Sequence, residues 1–278
     1  MRIAVLLTTF NRKEKTIACL ESLKQQALPM DVKIEVFLTD AGSTDATIDE
    51  VRKSFPSANI YQKDNNLFWA GGMRNSWQEA LKFNFDYYLL LNDDTLLKEN
   101  AISVLIAEPD NLLSVCIGST LDPNTGKRSY GGRRLSSKRR WKDDIVIFST
   151  TEYLQCDVAN ANIMLVPHQV VRKVGILSDV YTHGLADYDY TLKVKKAGFN
   201  VYVAPGYLGT CVNDHGKNWK SNNTTLKQRI QYLKSPKGLA YKEYMTFIKS
   251  HFPLSFPIAF CNVWMKTFFP FIWNTFKK

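Results

Sequence analysis

Cysteine is scarce in this sequence, and its spacing excludes two kinds of stabilising site. Five cysteines occur in 278 residues, and no two of them have the C-x-x-C spacing of zinc ligands. Because the number is odd, a disulfide framework is not predicted either. We expect small buried hydrophobic residues in a reducing compartment. The cysteines are Cys19, Cys116, Cys156, Cys211 and Cys261.

Internal repeats, low-complexity tracts and a secretory leader are also missing. The opening stretch, residues 1–7, is apolar too briefly for a signal peptide, and the chain becomes polar at Thr9 without a cleavage site. We therefore expect a cytoplasmic protein whose first residues form a buried strand. With 45% hydrophobic and 22% charged residues, the composition predicts one large globular domain, with or without an appendage.

Acidic residues are outnumbered by basic ones. The chain has 36 Lys and Arg against 26 Asp and Glu, a net charge of +10. This excess suits an anionic partner, which can be nucleic acid, a phosphorylated small molecule or an acidic membrane surface. The densest basic run, residues 128–142, contains glycines and has neither a helix-turn-helix nor an RNP pattern, so no nucleic-acid partner is predicted. A second basic excess lies between Lys217 and the end.

The first hundred residues alternate between strand and helix patterns. Apolar runs bounded by polar turns predict strands, and apolar residues at helical spacing predict the segments between them. Such alternation predicts an α/β protein with a mostly parallel central sheet. The predicted strands are 2–8, 33–39, 58–62 and 87–91, and the predicted helices are 12–26, 45–55 and 73–83.

Unusual polar loops follow these strands, and ligands bind where the strands of such a sheet end. The loops are "TTFNR" (8–12), "TDAGSTD" (39–45), "NLFWAGGMRN" (66–75) and "NDDT" (92–95). We therefore expect one site along one edge of the sheet.

The last of these loops places two adjacent carboxylates, Asp93 and Asp94, after a buried strand. Adjacent carboxylates repel, so they need a cation, hydrogen bonds or solvent. Hard oxygen ligands suit Mg²⁺ or Mn²⁺ bridging substrate phosphates. The alternative is that these residues only cap a helix.

The glycine pair Gly71–Gly72 is expected at a turn that enters a helix. A bare turn there offers backbone N–H groups to a phosphate, and Arg74 adds a charged contact. The alternative is a purely structural turn. The pattern of a P-loop and that of a dinucleotide-binding loop are both absent from the sequence, so enzymes of those classes are not favoured.

These loops together resemble one family, the inverting glycosyltransferases of family 2, which have the GT-A nucleotide-diphospho-sugar transferase fold. "VLLTTFNR" (5–12) resembles the family's first strand and nucleotide-contacting turn, and "LTDAGSTDAT" (38–47) is similar to its "VDDGSTDGT". "LLLNDDT" (89–95) resembles the D-x-D metal motif. "NNLFWAGGMRNSW" (65–77) resembles the form seen in rhamnosyl- and galactofuranosyltransferase-like members.

The match implies a nucleotide-sugar donor site with Mg²⁺ or Mn²⁺ as cofactor. Asp94 is the implied principal metal ligand, with Asp93 as helper and His215, in "CVNDHG" (211–216), as a further ligand. The implied donor-binding residues are Thr9, Asn11, Arg12, Asp40, Gly71, Gly72, Arg74 and Asp93.

The resemblance continues into the second half. "ANANIMLVPHQVVRKVGILSD" (159–179) resembles an acceptor-side strand and helix, and "HGLADYDYTLKVKKAGFNVYVAPG" (183–206) resembles the "E-D-x-D" segment. By this match Asp187 is the general base that deprotonates the acceptor hydroxyl. Asp189, Asn162 and Trp69 are expected on the acceptor side. The alternative for Asp187 and Asp189 is a structural charge at a helix N-terminus.

The implied reaction is metal-dependent transfer of a sugar, with inversion, from a dTDP- or UDP-linked donor. The acceptor is a hydroxyl of a growing, lipid-linked cell-surface polysaccharide.

Residues 1–216 are expected to be the catalytic domain, with about 1–100 binding the donor and about 101–216 facing the acceptor. Residues 217–278 would form a helical extension. A nucleotidyltransferase is the rival enzyme, but "TTFNR" lacks the glycine-rich first loop of that class.

The C-terminal segment, residues 252–278, has apolar residues at helical spacing. Its prolines and the central Lys266 argue against a transmembrane helix. Aromatic residues flanked by lysines favour a helix lying in an anionic membrane interface on the inner face of the cell membrane. The alternatives are packing on the catalytic domain or on a second subunit as a homodimer. The spaced residues are Ile258, Cys261, Met265, Phe268, Ile272 and Phe276.

Overall fold

The structure, a computed structural model, describes residues 1–64, 66–141, 144–213 and 224–271. Within them, the strands form one large mixed sheet and a smaller sheet of three strands. The strands are β1 (Arg2–Thr9), β2 (Lys33–Asp40), β3 (Asn59–Gln62), β4 (Tyr87–Leu91), β5 (Leu96–Leu97), β6 (Ser114–Leu121), β7 (Arg128–Tyr130), β8 (Gly132–Leu135), β9 (Asp144–Val146), β10 (Leu154–Gln155), β11 (Val158–Ala159), β12 (Ile163–Pro167) and β13 (Asn200–Thr210). The helices are α1 (Lys13–Lys24), α2 (Thr47–Ser54), α3 (Phe68–Ala80), α4 (Ala101–Ile106), α5 (His168–Val174), α6 (Ala186–Lys196), α7 (Leu226–Lys234), α8 (Tyr241–His251) and α9 (Phe256–Phe268).

The large sheet has a parallel half and a mixed half. Its order is β10-β13-β6-β12-β4-β1-β2-β3, and β3, β2, β1 and β4 run parallel to one another. β12 is antiparallel to both of its neighbours, β4 and β6, whereas β13 is parallel to β6. The predicted α/β class is therefore confirmed, and the βαβ alternation of the first hundred residues forms the parallel half.

Continuous apolar sequence places β1 and β4 at the centre of the sheet. All five residues of β4 are buried, as are seven of the eight residues of β1. A strand buried on both faces reads as an unbroken apolar run because helices cover it above and below. The carboxyl ends of β1, β2 and β4 meet at the same edge, since these strands are parallel.

Helix α3 begins earlier than its sequence predicts. It starts at Phe68, so the predicted start at residue 73 and the predicted turn at Gly71–Gly72 are wrong. Both glycines lie inside the helix and are buried. A Cβ on Gly72 would overlap the Thr8 side chain of β1, so the glycine allows helix and strand to pack closely. Gly72 therefore allows close packing and does not interrupt the helix.

The C-terminal helices pack on the rest of the chain. Phe247 and Ile248 of α8, with the following Phe252, belong to the same buried cluster as Trp77 of α3 and Tyr190 of α6. α8 precedes the segment 252–278, and within that segment Ala259 and Val263 of α9 belong to the same buried cluster. The expected boundary at residue 216 lies in a stretch, 214–223, outside the described residues. Among the described helices, none is both long enough and apolar enough to span a bilayer.

Candidate active site

The loops after β1 and β2 are tied to each other at the edge of the sheet. Asn11, with a left-handed backbone (φ 51°), donates its N–H to Ser43 Oγ at 2.8 Å, and its Oδ1 accepts from the Thr44 N–H at 2.7 Å. Asn tolerates this conformation better than most residues. Asp40 is fully buried and accepts from the Ser43 N–H at 3.1 and 3.2 Å. Because Thr9 pairs with Asp40 in the sheet, three predicted donor-site residues lie together.

A pair of carboxylates and an arginine form the charged centre of this edge. Arg12 Nη1 donates to Asp93 Oδ1 at 3.1 Å and to Asp94 Oδ2 at 2.9 Å. Lys15, one turn further along α1, places its Nζ 3.8 Å from Asp94 Oδ2. The loops after β1 and β4 are therefore held together by charge, and the predicted grouping of Arg12, Asp93 and Asp94 is present.

Asp93 is the more deeply placed of the two carboxylates. Its side chain is 7% exposed and accepts a long contact of 3.5 Å from Thr16 Oγ1, whose hydroxyl also bonds to Thr9 Oγ1 at 2.8 Å. Burial raises the pKa of Asp93 to about 6; Arg12 lowers it and the neighbouring Asp94 raises it. An extra positive charge at this place would favour the ionised form of the pair.

The carboxylate pair supplies the kind of donor that a hard divalent cation needs. Two carboxylates with substrate oxygens and water would complete the shell of Mg²⁺ or Mn²⁺. The described ranges contain no group of three or more His, Cys, Asp or Glu side chains able to hold a metal. His215, the predicted third ligand, lies outside the described residues. Asp93 and Asp94 thus fit a metal ion whose remaining ligands are mostly oxygens of the bound substrate.

Asn92 joins this centre to two neighbouring elements. The Trp69 indole donates from Nε1 to Asn92 Oδ1 at 2.8 Å, which fixes the start of α3 against the end of β4. The Asn92 N–H donates to the Asn162 carbonyl at 3.1 Å. Asn162 also donates from Nδ2 to Cys211 Sγ at 3.5 Å, and the Cys211 thiol lies 3.5 Å from Asp94 Oδ1. Trp69 and Asn162, both predicted on the acceptor side, thus border the acidic pair.

Asp187 lies in the first turn of α6 and faces the loop before β12. Its Oδ1 accepts from the Tyr188 N–H at 2.8 Å and its Oδ2 from Asn160 Nδ2 at 3.4 Å. The residue keeps part of its surface open, but the carboxyl lies deep among neighbouring atoms. That burial raises the pKa of Asp187 to about 6, and the hydrogen bonds from Tyr188 and Asn160 oppose the rise. A carboxylate of this kind is suited to accept a proton near neutral pH.

Asp189 occupies a different environment from Asp187. It is 2% exposed, and its oxygens lie 2.7 Å from His251 Nε2 and 2.8 Å from Lys193 Nζ. The Tyr181 hydroxyl donates to it at 3.3 Å. Burial alone would raise its pKa, but the hydrogen bond with His251 and the ion pair with Lys193 outweigh burial and the pKa is lowered. In the structure Asp189 joins α6 to α8, and its predicted contact with acceptor stays a prediction.

Arg74 and the glycine pair are engaged within the protein. Arg74 Nη1 donates to the carbonyls of Ser178 and Tyr181, both at 2.8 Å, so it holds the loop before α6 against α3. The Gly71 N–H donates to the Leu67 carbonyl at 3.1 Å. The expectation that this glycine turn presents free N–H groups to a phosphate is therefore wrong, because the peptide is helical.

Two residues at the site were not singled out by sequence reasoning. Lys15 follows Arg12, the residue before α1, by three positions, and helical spacing places residues three apart on the same side. Asn160 stands two residues before Asn162, in a turn too short to show periodicity. Its contact with Asp187 joins segments 27 residues apart, and no local pattern indicates it.

Solved structures share this fold at low sequence identity. The mannosyltransferase PcManGT from Pyrobaculum calidifontis, in complex with GDP-Man and Mn²⁺, has 17% identity and a TM-score of 0.51 over 84% of this chain and 61% of its own. GalNAc-T7 with UDP, GalNAc and Mn²⁺ has 12% identity and a TM-score of 0.60, over 74% and 42%. TarS from S. aureus has 15% identity and a TM-score of 0.56, over 90% and 43%.

These similarities confirm the GT-A fold, and the chain spans between about two fifths and three fifths of the length of those proteins. A search of curated proteins found no match. The family model described as glycosyl transferase family 2 matches residues 4–167, which run from within β1 to the end of β12 and include the acidic pair. Since the match extends over more than half of its residues, the chain belongs to glycosyl transferase family 2.

Proposed function

We propose that this protein is a metal-dependent, inverting glycosyltransferase that uses a nucleotide-diphospho-sugar. The observation that carries the proposal is the Asp93–Asp94 pair at the end of β4, bracketed by Arg12 and bordered by Trp69 and Asn162. Family membership supports the reaction class. Two of the similar structures contain a nucleotide or nucleotide-sugar with Mn²⁺, which supports the choice of donor and cofactor.

The donor diphosphate lies, in this proposal, over the edge formed by β1, β2 and β4. Asp94, with Asp93, would hold a divalent cation, which when bound neutralises the diphosphate as it leaves. Arg12 and Lys15 bring two more positive charges to the same place. Asp40 fixes the β2–α2 turn where the nucleotide base binds. Preorganised charges of this kind stabilise a developing anion without reorganising during the step.

Asp187 acts as the general base. It takes the proton of the acceptor hydroxyl, whose oxygen attacks the anomeric carbon from the side opposite the leaving diphosphate. One displacement inverts that carbon, and no covalent enzyme intermediate forms. Asn160 and the Tyr188 N–H orient the carboxylate. We assign the acceptor to a lipid-linked glycan and the donor to the dTDP or UDP class, as the resemblance to rhamnosyl- and galactofuranosyltransferase-like enzymes implies.

The test of the acidic pair is Asp94→Ala, which we expect to abolish transfer because it removes the principal metal ligand. The wild type should lose activity in EDTA and regain it with Mn²⁺ or Mg²⁺. The assay measures nucleoside diphosphate released from a panel of UDP-, dTDP- and GDP-sugars. Asp49→Ala, which removes an exposed carboxylate on α2, is the matched control and should stay active.

Three results would contradict the proposal. Full activity of the wild type in EDTA would remove the metal from the mechanism. Normal turnover of Asp94→Ala would remove the acidic pair from it. Release of pyrophosphate in place of a nucleoside diphosphate would identify a nucleotidyltransferase, the rival that family membership does not favour.

A further inference from the structure

Helix α9 has two distinct faces. Ala259, Val263 and Thr267 point inward and are at most 7% exposed. The opposite face carries a line of apolar side chains at spacings of three and four residues, which we name the α9 stripe. Its side chains are 47–56% exposed at Ile258, Met265 and Phe268, and Cys261 between them is also exposed. Leu254, 61% exposed in the turn before α9, continues the line and is included in the stripe. Ile258, Cys261, Met265 and Phe268, four of the six residues whose helical spacing is visible in the sequence, lie on this outer face.

A basic segment lies beside the stripe. Lys138, Arg139 and Arg140, here named the basic segment, are all exposed. The Ser137 hydroxyl accepts from the backbone N–H groups of Arg139 and Arg140, at 3.3 and 3.2 Å, which fixes the turn. The basic segment is therefore an ordered part of the surface.

Trp141 anchors the basic segment to the C-terminal helices. Its N–H donates to Ser255 Oγ at 2.8 Å, and its ring centroid lies 5.2 Å from those of Phe247 and Phe252. Arg140 and Ile258 line the same cleft of about 540 Å³. Residues more than 110 positions apart in the chain thus form one continuous surface of positive charge and apolar side chains.

Acidic residues are scarce in the sequence around both parts, although Asp143 and Asp144 follow the basic run and Asp144 pairs with Arg133. Residues 123–142 include no Asp or Glu, and neither do residues 244–278. A charge-compensated protein surface would intersperse the two signs. An apolar helix face beside three consecutive exposed basic residues is instead complementary to a lipid bilayer that carries anionic headgroups.

We propose that the α9 stripe and the basic segment together form a docking surface for an anionic membrane. The apolar side chains enter the boundary between headgroups and acyl chains, and the basic segment contacts lipid phosphates. A symmetric dimer through the stripe would bring two basic segments toward each other, and their repulsion disfavours that occupant.

The surface lies next to the predicted acceptor side. The Trp141 ring is 6.3 Å from the ring of Tyr188, the residue after Asp187. Docking therefore presents the Asp187 side of the molecule to molecules anchored in the bilayer. This orientation rests on the proposed function, whereas membrane binding itself does not, so the two can fail separately.

The electrostatic test is sedimentation of the full-length protein with vesicles of phosphatidylcholine, with and without phosphatidylglycerol. We expect binding only to the anionic vesicles. Reversal of the basic segment by Lys138→Glu, Arg139→Glu and Arg140→Glu should lower the partition coefficient on the order of a hundredfold, at several-fold per residue. Lys33→Glu, Arg52→Glu and Lys53→Glu make the same change of net charge at exposed positions on β2 and α2, and should bind almost normally.

The apolar test replaces the stripe by Leu254→Ser, Ile258→Ser and Met265→Ser. These exposed changes should leave circular dichroism and melting unchanged and should abolish binding. The matched control is Phe83→Ser, Leu112→Ser and Leu113→Ser, which are 48–53% exposed elsewhere. The basic-segment variant and the stripe variant should both still release nucleoside diphosphate from the donor in solution. This result separates docking from the proposed function.

Three outcomes would overturn the proposal. The first is absence of wild-type binding to anionic vesicles, and the second is equal binding by the stripe variant. The third is a wild-type dimer in sedimentation velocity that becomes a monomer in the stripe variant while vesicle binding is unchanged, since the stripe would then be a subunit interface.

Discussion

Asp187, the proposed general base, shows at the scale of one residue how burial raises the pKa of a carboxyl. Burial raises its pKa to about 6, so the carboxylate is ionised above that pH and protonated below it. Because only the ionised form accepts a proton, the turnover number should fall as the pH is lowered through about 6. A pH profile of turnover at saturating donor measures this limb.

The variant Asp187→Asn should retain donor binding and lose turnover by roughly a hundredfold or more, the usual contribution of a general base. Asp31→Asn, at an exposed position, is the control. An unchanged turnover in Asp187→Asn would move the role to another group.

The same substitution has a second expected effect, on stability. Since the folded-state pKa is raised, the protonated form is favoured by folding, and this stability is present at low pH and lost as the pH rises through about 6. An amide does not ionise, so Asp187→Asn should melt at a higher temperature than the wild type at pH 8. The difference should shrink at pH 4, and a lower melting temperature at pH 8 would contradict the assignment.

Gly72 is a residue-scale constraint on packing. The variant Gly72→Ala places a methyl group against Thr8 of β1 and should destabilise the fold by roughly 2 kcal/mol, as overpacking does. Its neighbour provides the control, because a Cβ on Gly71 would lie 3.2 Å from Leu67 Cβ, 3.4 Å from Leu67 Cδ2 and 3.6 Å from Arg74 Nη2. Gly71→Ala should therefore be close to neutral, helped by alanine's helix propensity. Urea unfolding of both variants makes the comparison, and equal stability would show that Thr8 moves aside.

At the scale of elements, the N-terminal half of the catalytic region is well predicted by its sequence. The starts of β1, β2, β3 and β4 agree with apolar patterning to within one residue. The short strands from β7 to β11, two to four residues each, were not predicted, because such lengths carry too little periodicity. The contacts of Arg74 were also hidden, since its partner carbonyls lie 104 and 107 residues away.

Helices α6 and α8 are coupled through Asp189 and His251. Asp189→Asn leaves the lysine and histidine without their shared carboxylate, and should lower the free energy of unfolding by roughly 2–3 kcal/mol. The pKa of Asp189 is lowered, so this stabilisation is present at neutral pH and lost as the pH falls below the usual aspartate range. Urea unfolding at pH 7 and at pH 3 should show a large and a small difference, and equal differences would contradict the coupling.

This coupling bears on any truncation of the C-terminal region. Removal of residues after Ser250 deletes His251 and the buried Phe252, both part of the interior contacts of α8. Such a truncation should unfold the protein, so surface substitutions are the appropriate probe of membrane binding.

At the scale of the whole molecule, donor edge and docking surface lie on different elements of one folded unit. The residues of the proposed donor site lie at the ends of β1, β2 and β4, whereas those of the proposed docking surface lie on α9, in the turn before it and in the segment before β9. The sequence analysis identified the basic run 128–142 and the apolar spacing of residues 252–278, but not that these two segments meet in the fold. Their junction depends on the Trp141 contacts with Ser255 and two phenylalanines, which no local pattern records.

The distribution of the cysteines has a practical consequence. Cys19, Cys116, Cys156 and Cys211 are buried, and Cys261 is exposed in the middle of the α9 stripe. A maleimide dye whose emission depends on polarity will therefore label the natural protein at one position of its surface. Its colour reports directly whether that face of α9 is in water or in hydrocarbon, without any engineered residue.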